Sequence, residues 1–503
     1  MIFDMAATDP DGIAVDDLTR RRTWAEFLDR ATRIAHLLLG QLGLKPDDHV
    51  ALLMGNRVEF VELTFGAMLA GIWITPVNWH LKGAEAAYVI DDSGAQVLFT
   101  DEAHEPMARQ SAGARLLLPL DALEPALADA SDEPMPRDGP TGGTMIYTSG
   151  TTGRPKGVKR GRPPTLGAAL SDIAAKATAL GLDGSGPHLV TGPLYHAAPL
   201  LFAFYDQVNG APLVILPEWD DERALDLLQE RAVRHTHMVP TMFVRMLDLP
   251  ESIRSRFDPS ALRLVLHGAA PMSVAVKRRM IDWWGEVLVE YWGATEGGTT
   301  TLVDSADWLA HPGTVGRALP SFEVFAVDEQ RERLPPGEVG VLYCRHKHLR
   351  QVFEYHHAPE QTAEAHPEPF LFNIGDIGRV EEDGYVYLSD RKSNMIISGG
   401  VNIYPAEIEQ VLQEHPAVAD VGVFGIPDPE WGEAVKAAVE LASGVQPSPE
   451  LEAEIRAFAH QRLADYKVPR SIDFENELPR YPTGKLHVRL LRDRYWKHQK
   501  RSI

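Results

Sequence analysis

The sequence predicts an α/β fold: a large N-terminal domain of mixed, mostly parallel sheets with flanking helices, a small antiparallel β lobe, and a small α+β C-terminal domain. Three observations predict it. Helix and strand signals alternate through the first 300 residues, which argues for a parallel sheet covered on both faces. From about residue 315 the pattern changes to short strands separated by tight turns, as at Glu382-Asp383-Gly384. After Asp390-Arg391 a third regime of strands and helices begins. The boundary is set at a polar DRKSN run, giving domains 1–389 and 390–503. A chain of 503 residues is also too long for one core.

The elements follow in order. Thr23-Trp24-Ala25-Glu26 is a capping-box pattern, and Phe27, Ala31, Ile34 and Leu38 then recur at helical spacing. Residues 50–54, 72–77 and 96–100 read as buried strands around a helix at 58–70. The acidic, Pro- and Gly-rich segment 121–143 reads as an exposed connector. Strands are expected at 212–216, 235–239, 262–267 and 286–291, with helices at 222–231 and 272–284. Loops at the carboxyl ends of such strands bind ligands. Tyr195-His196, Gly268-Ala269-Ala270-Pro271 and Trp292 to Glu296 fall there. Residues 322–327 and 339–345 begin the antiparallel lobe. In the last regime, helices at 406–413 and 450–462 surround strands at 418–423 and 435–441.

The net charge of −22 argues against general binding to nucleic acid or anionic membranes. The single cysteine, Cys344, excludes an internal disulfide and reads as packing within a strand; low cysteine usage fits the cytoplasm. No secretory signal pattern is visible. The longest apolar stretch, residues 65–77, is too short to span a bilayer and contains Thr75 and Pro76. A homodimer is the default expectation for assembly.

The chemistry is organised around Met145 to Val158, MIYTSGTTGRPKGV. A strand end leads into the hydroxyls and glycines Thr148, Ser149, Gly150, Thr151, Thr152 and Gly153, and then Lys156. Glycines let backbone N–H groups turn toward an anion, hydroxyls add donors, and lysine supplies a point charge. This composition suits a polyphosphate, although the P-loop NTPase spacing is not met. Four weaker constellations follow. In Glu290 to Glu296 (EYWGATE), an indole could stack on a base and Glu296 could hold Mg²⁺; the same residues would serve as a turn with core aromatics. Asp376, on the turn Asn373-Ile374-Gly375, suits ribose hydroxyls or an ordinary Gly-Asp turn. Asp390-Arg391 is either a ribose contact or a surface ion pair, and Gly399-Gly400 would let a ligand pass closely. Lys485, at the exit of a Pro-Thr-Gly turn, is a solvated lysine by base rate.

Together these five motifs, in this order, resemble the adenylate-forming superfamily of acyl-CoA synthetases, peptide-synthetase adenylation domains and beetle luciferases. The likeness covers almost the whole chain. ISGGVNIYPAEIE (397–409) and PTGKL (482–486) look most like acyl-CoA ligases for fatty or aryl acids. The resemblance implies ATP, Mg²⁺ and coenzyme A as co-substrates and a small carboxylic acid as partner. A carboxylate attacks the α-phosphate of ATP, pyrophosphate leaves, and the thiol of coenzyme A then expels AMP. A carrier-protein phosphopantetheine is the alternative acceptor.

Mapped by motif, the resemblance gives Thr148–Gly153 and Lys156 the β- and γ-phosphates. It gives Trp292 and Gly293 the adenine-stacking segment, and Gly268, Ala269 and Ala270 the lining of the adenine and acyl pockets. Thr295 would touch the α-phosphate, Glu296 would ligate Mg²⁺, and Asp376 and Arg391 would bind ribose. Lys485 would neutralise charge during adenylation from a mobile C-terminal domain. His196 would stand beside the acyl carboxylate, unless it is a satisfied structural histidine. Gly399-Gly400 would flank the thiol tunnel. Two positions depart from the family pattern: Ser393, where the hinge usually has Asp or Lys, and Asn373, where Thr is commoner. The pocket walls are expected to include Tyr195, His196, Phe202, Met238 and Trp292.

Overall fold

The computed structural model describes residues 1–113, 115–148, 155–270, 272–391, 394–398, 401–428, 431–480 and 486–496, with only the backbone considered at 390, 391, 397, 401 and 402. Its centre is a nine-stranded sheet. Across it run Arg317–Ala318, Gly298–Val303, Leu288–Ala294, Leu264–His267, His235–Met238, His188–Val190, Leu213–Ile215, Ile13–Asp16 and Arg21–Thr23. The six strands from Leu288–Ala294 to Ile13–Asp16 pair in parallel, and antiparallel strands close both edges. A second five-stranded sheet is built on the parallel strands His49–Leu53, Trp73–Pro76 and Ala95–Thr100. The expected mixed α/β architecture is therefore present.

Local sequence explains where these elements begin. Thr23 accepts from the Glu26 amide, and the Glu26 carboxylate accepts from the Thr23 amide, closing the capping box ahead of helix Trp24–His36. The helix Val58–Ala70 is buried along its whole length, sandwiched between layers, and ends at Gly71 in the left-handed region. One expectation needs correction. The 121–143 connector is not wholly exposed, because Leu120–Ala128 is helical despite Pro125, held by the buried side chains of Leu123 and Leu127.

The chain's path through the large sheet fixes the position of a crevice. From His188–Val190 the chain passes through helix Ala197–Val208 to the strand on one side, Leu213–Ile215. It then returns through helix Asp221–Glu230 to the strand on the other side, His235–Met238. Right-handed crossovers in opposite directions put their helices on opposite faces. The two cores agree: Phe202 and Val208 pack in one layer with Leu266 and Tyr291, whereas Leu225 and Leu228 pack in the other with Val265 and Met238. A ligand crevice is expected outside the carboxyl ends of strands at such a switch point.

The antiparallel lobe pairs Phe322–Val327 with Gly340–His346 and Asp376–Val380 with Val386–Arg391, the latter turning at Gly384. Val386–Arg391 carries the first part of the polar run as strand. Beyond it, Ile396–Ser398, Val401–Ile403, Val418–Asp428, Gly432–Leu441 and Ser471–Glu475 form a separate five-stranded sheet. That sheet has its own core of Ile403, Ile408, Val421, Val439 and Ile455. Among the described residues, no helix is long and apolar enough to cross a membrane.

Candidate active site

Strands Ile146–Thr148 and Lys156–Arg160 are antiparallel, and Thr148 lies opposite Lys156. The glycine- and hydroxyl-rich turn thus starts and finishes at one place. Ser149, Gly150, Thr151, Thr152 and Gly153 themselves lie outside the described residues, as do Gly399, Gly400, Lys485 and the side chain of Arg391. Strand Phe353–Tyr355 pairs with the other edge of Lys156–Arg160, with Tyr355 opposite Val158. The Lys156 ammonium therefore sits 5.1 Å from the Tyr355 ring centre, and the Tyr355 hydroxyl donates to Glu296 Oε1 at 3.0 Å. One phenol links the cation at the turn's exit to the carboxylate of the EYWGATE segment.

That segment is more extended than its sequence suggests. Strand Leu288–Ala294 continues through Trp292 and folds back onto Gly298–Val303, leaving Thr295 and Glu296 at the tip. Gly293 permits the fold-back, since a Cβ there would lie 2.1 Å from the Gly298 carbonyl oxygen. Trp292 is buried against Val158, Val324, Leu342 and Phe372. Its indole Nε1 donates to Asp376 Oδ2 at 2.8 Å. Asp376 follows Gly375, which is in the left-handed region, and its backbone is in register with Arg391. The carboxylate and guanidinium assigned to one ribose are thus borne by neighbouring strands.

On the sheet side, Gly268 follows strand Leu264–His267 and packs directly against Tyr291; a Cβ would meet the Tyr291 carbonyl oxygen at 2.6 Å and its ring at 2.9 Å. Ala269 is held at φ 65°, a left-handed conformation unusual for a side chain-bearing residue and often found at ligand-binding turns. His196 ends the loop after the switch-point strand and precedes helix Ala197–Val208. Its ring centroid is 4.2 Å from that of Tyr195, whose ring in turn meets the Trp79 ring edge-on at 4.4 Å. Burial pulls the His196 pKa down to about 3, so the imidazole is neutral near pH 7. Neither His196 Nε2 nor the Tyr195 hydroxyl has a hydrogen-bond partner among the described residues.

Met238 does not face this crevice. It packs with Met242, Phe243 and Val265 in the layer away from helix Ala197–Val208. Side chains alternate along a strand, so the residue before it, His237, faces the helix instead, against Phe202 and Tyr291. The sequence reading also missed Tyr355, which lies about 60 residues from Glu296 and carries no motif of its own.

The donor set fits a magnesium nucleotide. No group of three or more His, Cys, Asp or Glu residues among those described could cage a metal, whereas Mg²⁺ is commonly held by one or two carboxylates, phosphates and water. Glu296, hydrogen-bonded to the phenol that Lys156 approaches, would supply that single carboxylate.

The AMP-binding enzyme family matches residues 2–353, and the AMP-binding enzyme C-terminal domain matches residues 407–485. The fatty acid–[acyl-carrier-protein] ligase ScoC of Streptomyces coeruleorubidus is 32% identical over 501 residues, covering 96% of this chain and 93% of that protein. The long-chain-fatty-acid–CoA ligase FadD13 of Mycobacterium tuberculosis is 33% identical over 484 residues, covering 94% and 93%. The solved structure of o-succinylbenzoate CoA synthetase from Bacillus subtilis, in complex with its acyl-adenylate intermediate, superposes with a TM-score of 0.82 at 26% identity, covering 100% and 99%. Fold and site define an adenylate-forming enzyme. The chain belongs to the AMP-binding enzyme family and is an AMP-forming acid–thiol ligase.

Proposed function

We propose that the protein is an acyl-CoA synthetase that converts a fatty, aryl or bulky polycyclic acid to its coenzyme A thioester in the cytoplasm. The observation that carries this reading is the convergence of Lys156 and Glu296 on the Tyr355 side chain, and of Trp292, bonded to Asp376, in the core cluster that Val158 and Tyr355 join. A carboxylate is a poor electrophile. Its oxygen attacks the α-phosphorus of ATP, the bond to the bridging oxygen breaks, and pyrophosphate leaves. The thiolate sulfur of coenzyme A then attacks the acyl carbonyl, and AMP departs with the original carboxylate oxygen. Positioning and charge neutralisation supply most of the rate in such phosphate chemistry.

In this reading the 148–153 turn and Lys156 hold the outer phosphates, and Thr295 contacts the α-phosphate. Glu296 holds Mg²⁺, whose charge offsets that of the phosphates. Trp292 and Gly293, with the Gly268–Ala270 loop, border the adenine, while Asp376 and Arg391 hold the ribose. His196, neutral and backed by Tyr195, stands beside the acid. Residues 390–503 form a lid over the 1–389 domain, deliver Lys485 for adenylation, and then move so that the thiol enters past Gly399-Gly400.

The test separates the half-reactions. Lys485→Ala should slow acyl-adenylate formation far more than thioester formation from supplied acyl-adenylate. Equal losses in both would remove the assigned role. The FadD13 likeness supports free coenzyme A as acceptor, and the ScoC likeness supports a carrier protein as the second reading. Mass spectrometry of the thiol product distinguishes them.

A further inference from the structure

One helix of the second sheet's layer reaches both ends of the glycine–hydroxyl turn. Gly83–Asp92 buries Ala86, Val89 and Ile90 in one core with Leu53 and Leu98, which fixes its orientation. Tyr88 and Asp92 are four residues apart on it and so share a face. The Tyr88 hydroxyl donates at 3.1 Å to the carbonyl of Pro155, the residue before Lys156. Asp92 Oδ2 accepts at 2.6 Å from the hydroxyl of Tyr147, the residue before Thr148. The two bonds thus hold the exit and the entry of the turn, whose mouth the Thr148–Lys156 pairing closes. They lie on the side away from Trp292: Tyr88 and Tyr147 pack on the helix's own core, whereas Val158 packs with Trp292. The Tyr147 ring covers Gly157, its partner in register, where a Cβ would stand 3.1 Å from the ring. Asp92 Oδ1 also lies 3.8 Å from Nδ1 of His357, just beyond strand Phe353–Tyr355.

Taking as its basis the reading that this turn holds the outer phosphates of ATP, we infer that Tyr88 and Asp92 are positioning residues for adenylation, fixing the two ends of the turn before the nucleotide arrives. They act through Pro155 and Tyr147, not on the nucleotide itself. A glycine-rich segment loses much conformational freedom when it is ordered around a ligand. Ends that are already held remove part of that cost from binding. The Asp92 bond is charge-assisted and therefore the stronger of the two. Burial, and then the Asp92 carboxylate, push the Tyr147 phenol up, so it stays protonated and keeps donating.

The experiment measures both half-reactions in the full-length protein with an acid that the wild type activates. Pyrophosphate release at varied ATP reads the step that uses the outer phosphates. Thioester formation from supplied acyl-adenylate and coenzyme A reads the step that does not. Tyr88→Phe and Tyr147→Phe each remove one hydroxyl and should lower kcat/KM for ATP about three- to tenfold, chiefly through KM, with thioester formation changed by less than about twofold. Asp92→Ala should match or exceed Tyr147→Phe, and Asp92→Asn, which keeps an acceptor oxygen, should recover most of that loss. Tyr88→Phe reads the same quantity from the other end of the turn should the Asp92 variants fail to fold. An unchanged kcat/KM for ATP in folded variants, or equal losses in both half-reactions, overturns the inference. Absence of pyrophosphate release from the wild type with every acid of a broad panel would instead remove the reading on which it rests.

Discussion

The indole Nε1 of Trp292 and Oδ2 of Asp376 are joined by a buried 2.8 Å hydrogen bond across 84 residues of sequence. It fastens the central sheet's Leu288–Ala294 strand to the antiparallel lobe at the strand that runs beside Arg391. Trp292→Phe keeps an aromatic ring and removes the donor, leaving a buried carboxylate oxygen one bond short at a cost of about 1–3 kcal/mol. The KM for ATP should rise roughly tenfold, with kcat changed less. Initial rates at varied ATP check this; an unaltered KM would detach the pair from nucleotide binding.

The Tyr355–Glu296 bond makes a second prediction. Glu296→Gln removes the carboxylate assigned to Mg²⁺ and should lower kcat by about a hundredfold or more, as loss of a metal's charge stabilisation does. Tyr355→Phe removes the hydrogen bond that orients Glu296, worth about 1 kcal/mol, and should raise the Mg²⁺ needed for half-maximal rate by several-fold. A Mg²⁺ titration of pyrophosphate release for both variants gives the comparison. Equal effects would mean that Tyr355 does more than orient the carboxylate.

These two bonds also divide what was legible in the sequence from what was not. The glycine–hydroxyl turn, the EYWGATE segment and Asp376 carry local chemical signatures, so the candidate site could be read residue by residue. Their meeting depends on the pairing of strands some 200 residues apart, Lys156–Arg160 with Phe353–Tyr355, and no local pattern encodes that register. Tyr355 was invisible for this reason. Met238 and His237 were confused for another: both sit on a strand buried on both faces, where alternation of polarity gives no clue to which side chain faces which layer. The helix Leu120–Ala128 was obscured by Pro125, whose poor propensity is outweighed by the burial of Leu123 and Leu127 in the core.

Stability should depend on pH through buried histidines. Burial holds His49, His196 and His237 at about 3 and His356 at about 4, all below the ordinary 6.5. The unfolded chain therefore binds more protons between about pH 3 and 6.5. Their contribution is complete above about pH 6.5 and is lost as the pH falls toward 3, at up to about 1.4 kcal/mol per pH unit for each fully shifted group. A lower window belongs to Asp206. Burial raises its pKa, but hydrogen bonds from His188 and His235 outweigh this and hold it at about 2, so its contribution is lost between about pH 4 and 2. Urea unfolding at pH 7.5, 6.0 and 5.0 should show a steady decline. A flat profile over that range would mean that these imidazoles protonate within the folded protein.

The Lys277–Glu290 pair, 2.6 Å apart and buried, ties helix Val274–Trp284 to the strand that leads into Trp292, with the Lys277 ammonium also 4.6 Å from the Trp308 ring centre. Burial pushes lysine down and glutamate up, and their mutual attraction opposes both shifts. Lys277→Ala leaves Glu290 without its partner and should cost about 3–5 kcal/mol, whereas the double variant Lys277→Met/Glu290→Leu should recover most of that. Chemical denaturation of both variants makes the comparison, and equal destabilisation would deny the pair its coupled role.

The central claim is that the converging groups make a carboxylic acid reactive by joining it to AMP. Exchange of labelled pyrophosphate into ATP, measured with Mg²⁺ across short, long, aryl and polycyclic acids, tests this most directly. The account predicts exchange that requires an acid and persists without coenzyme A. Tight ATP binding with no exchange for any acid would contradict it.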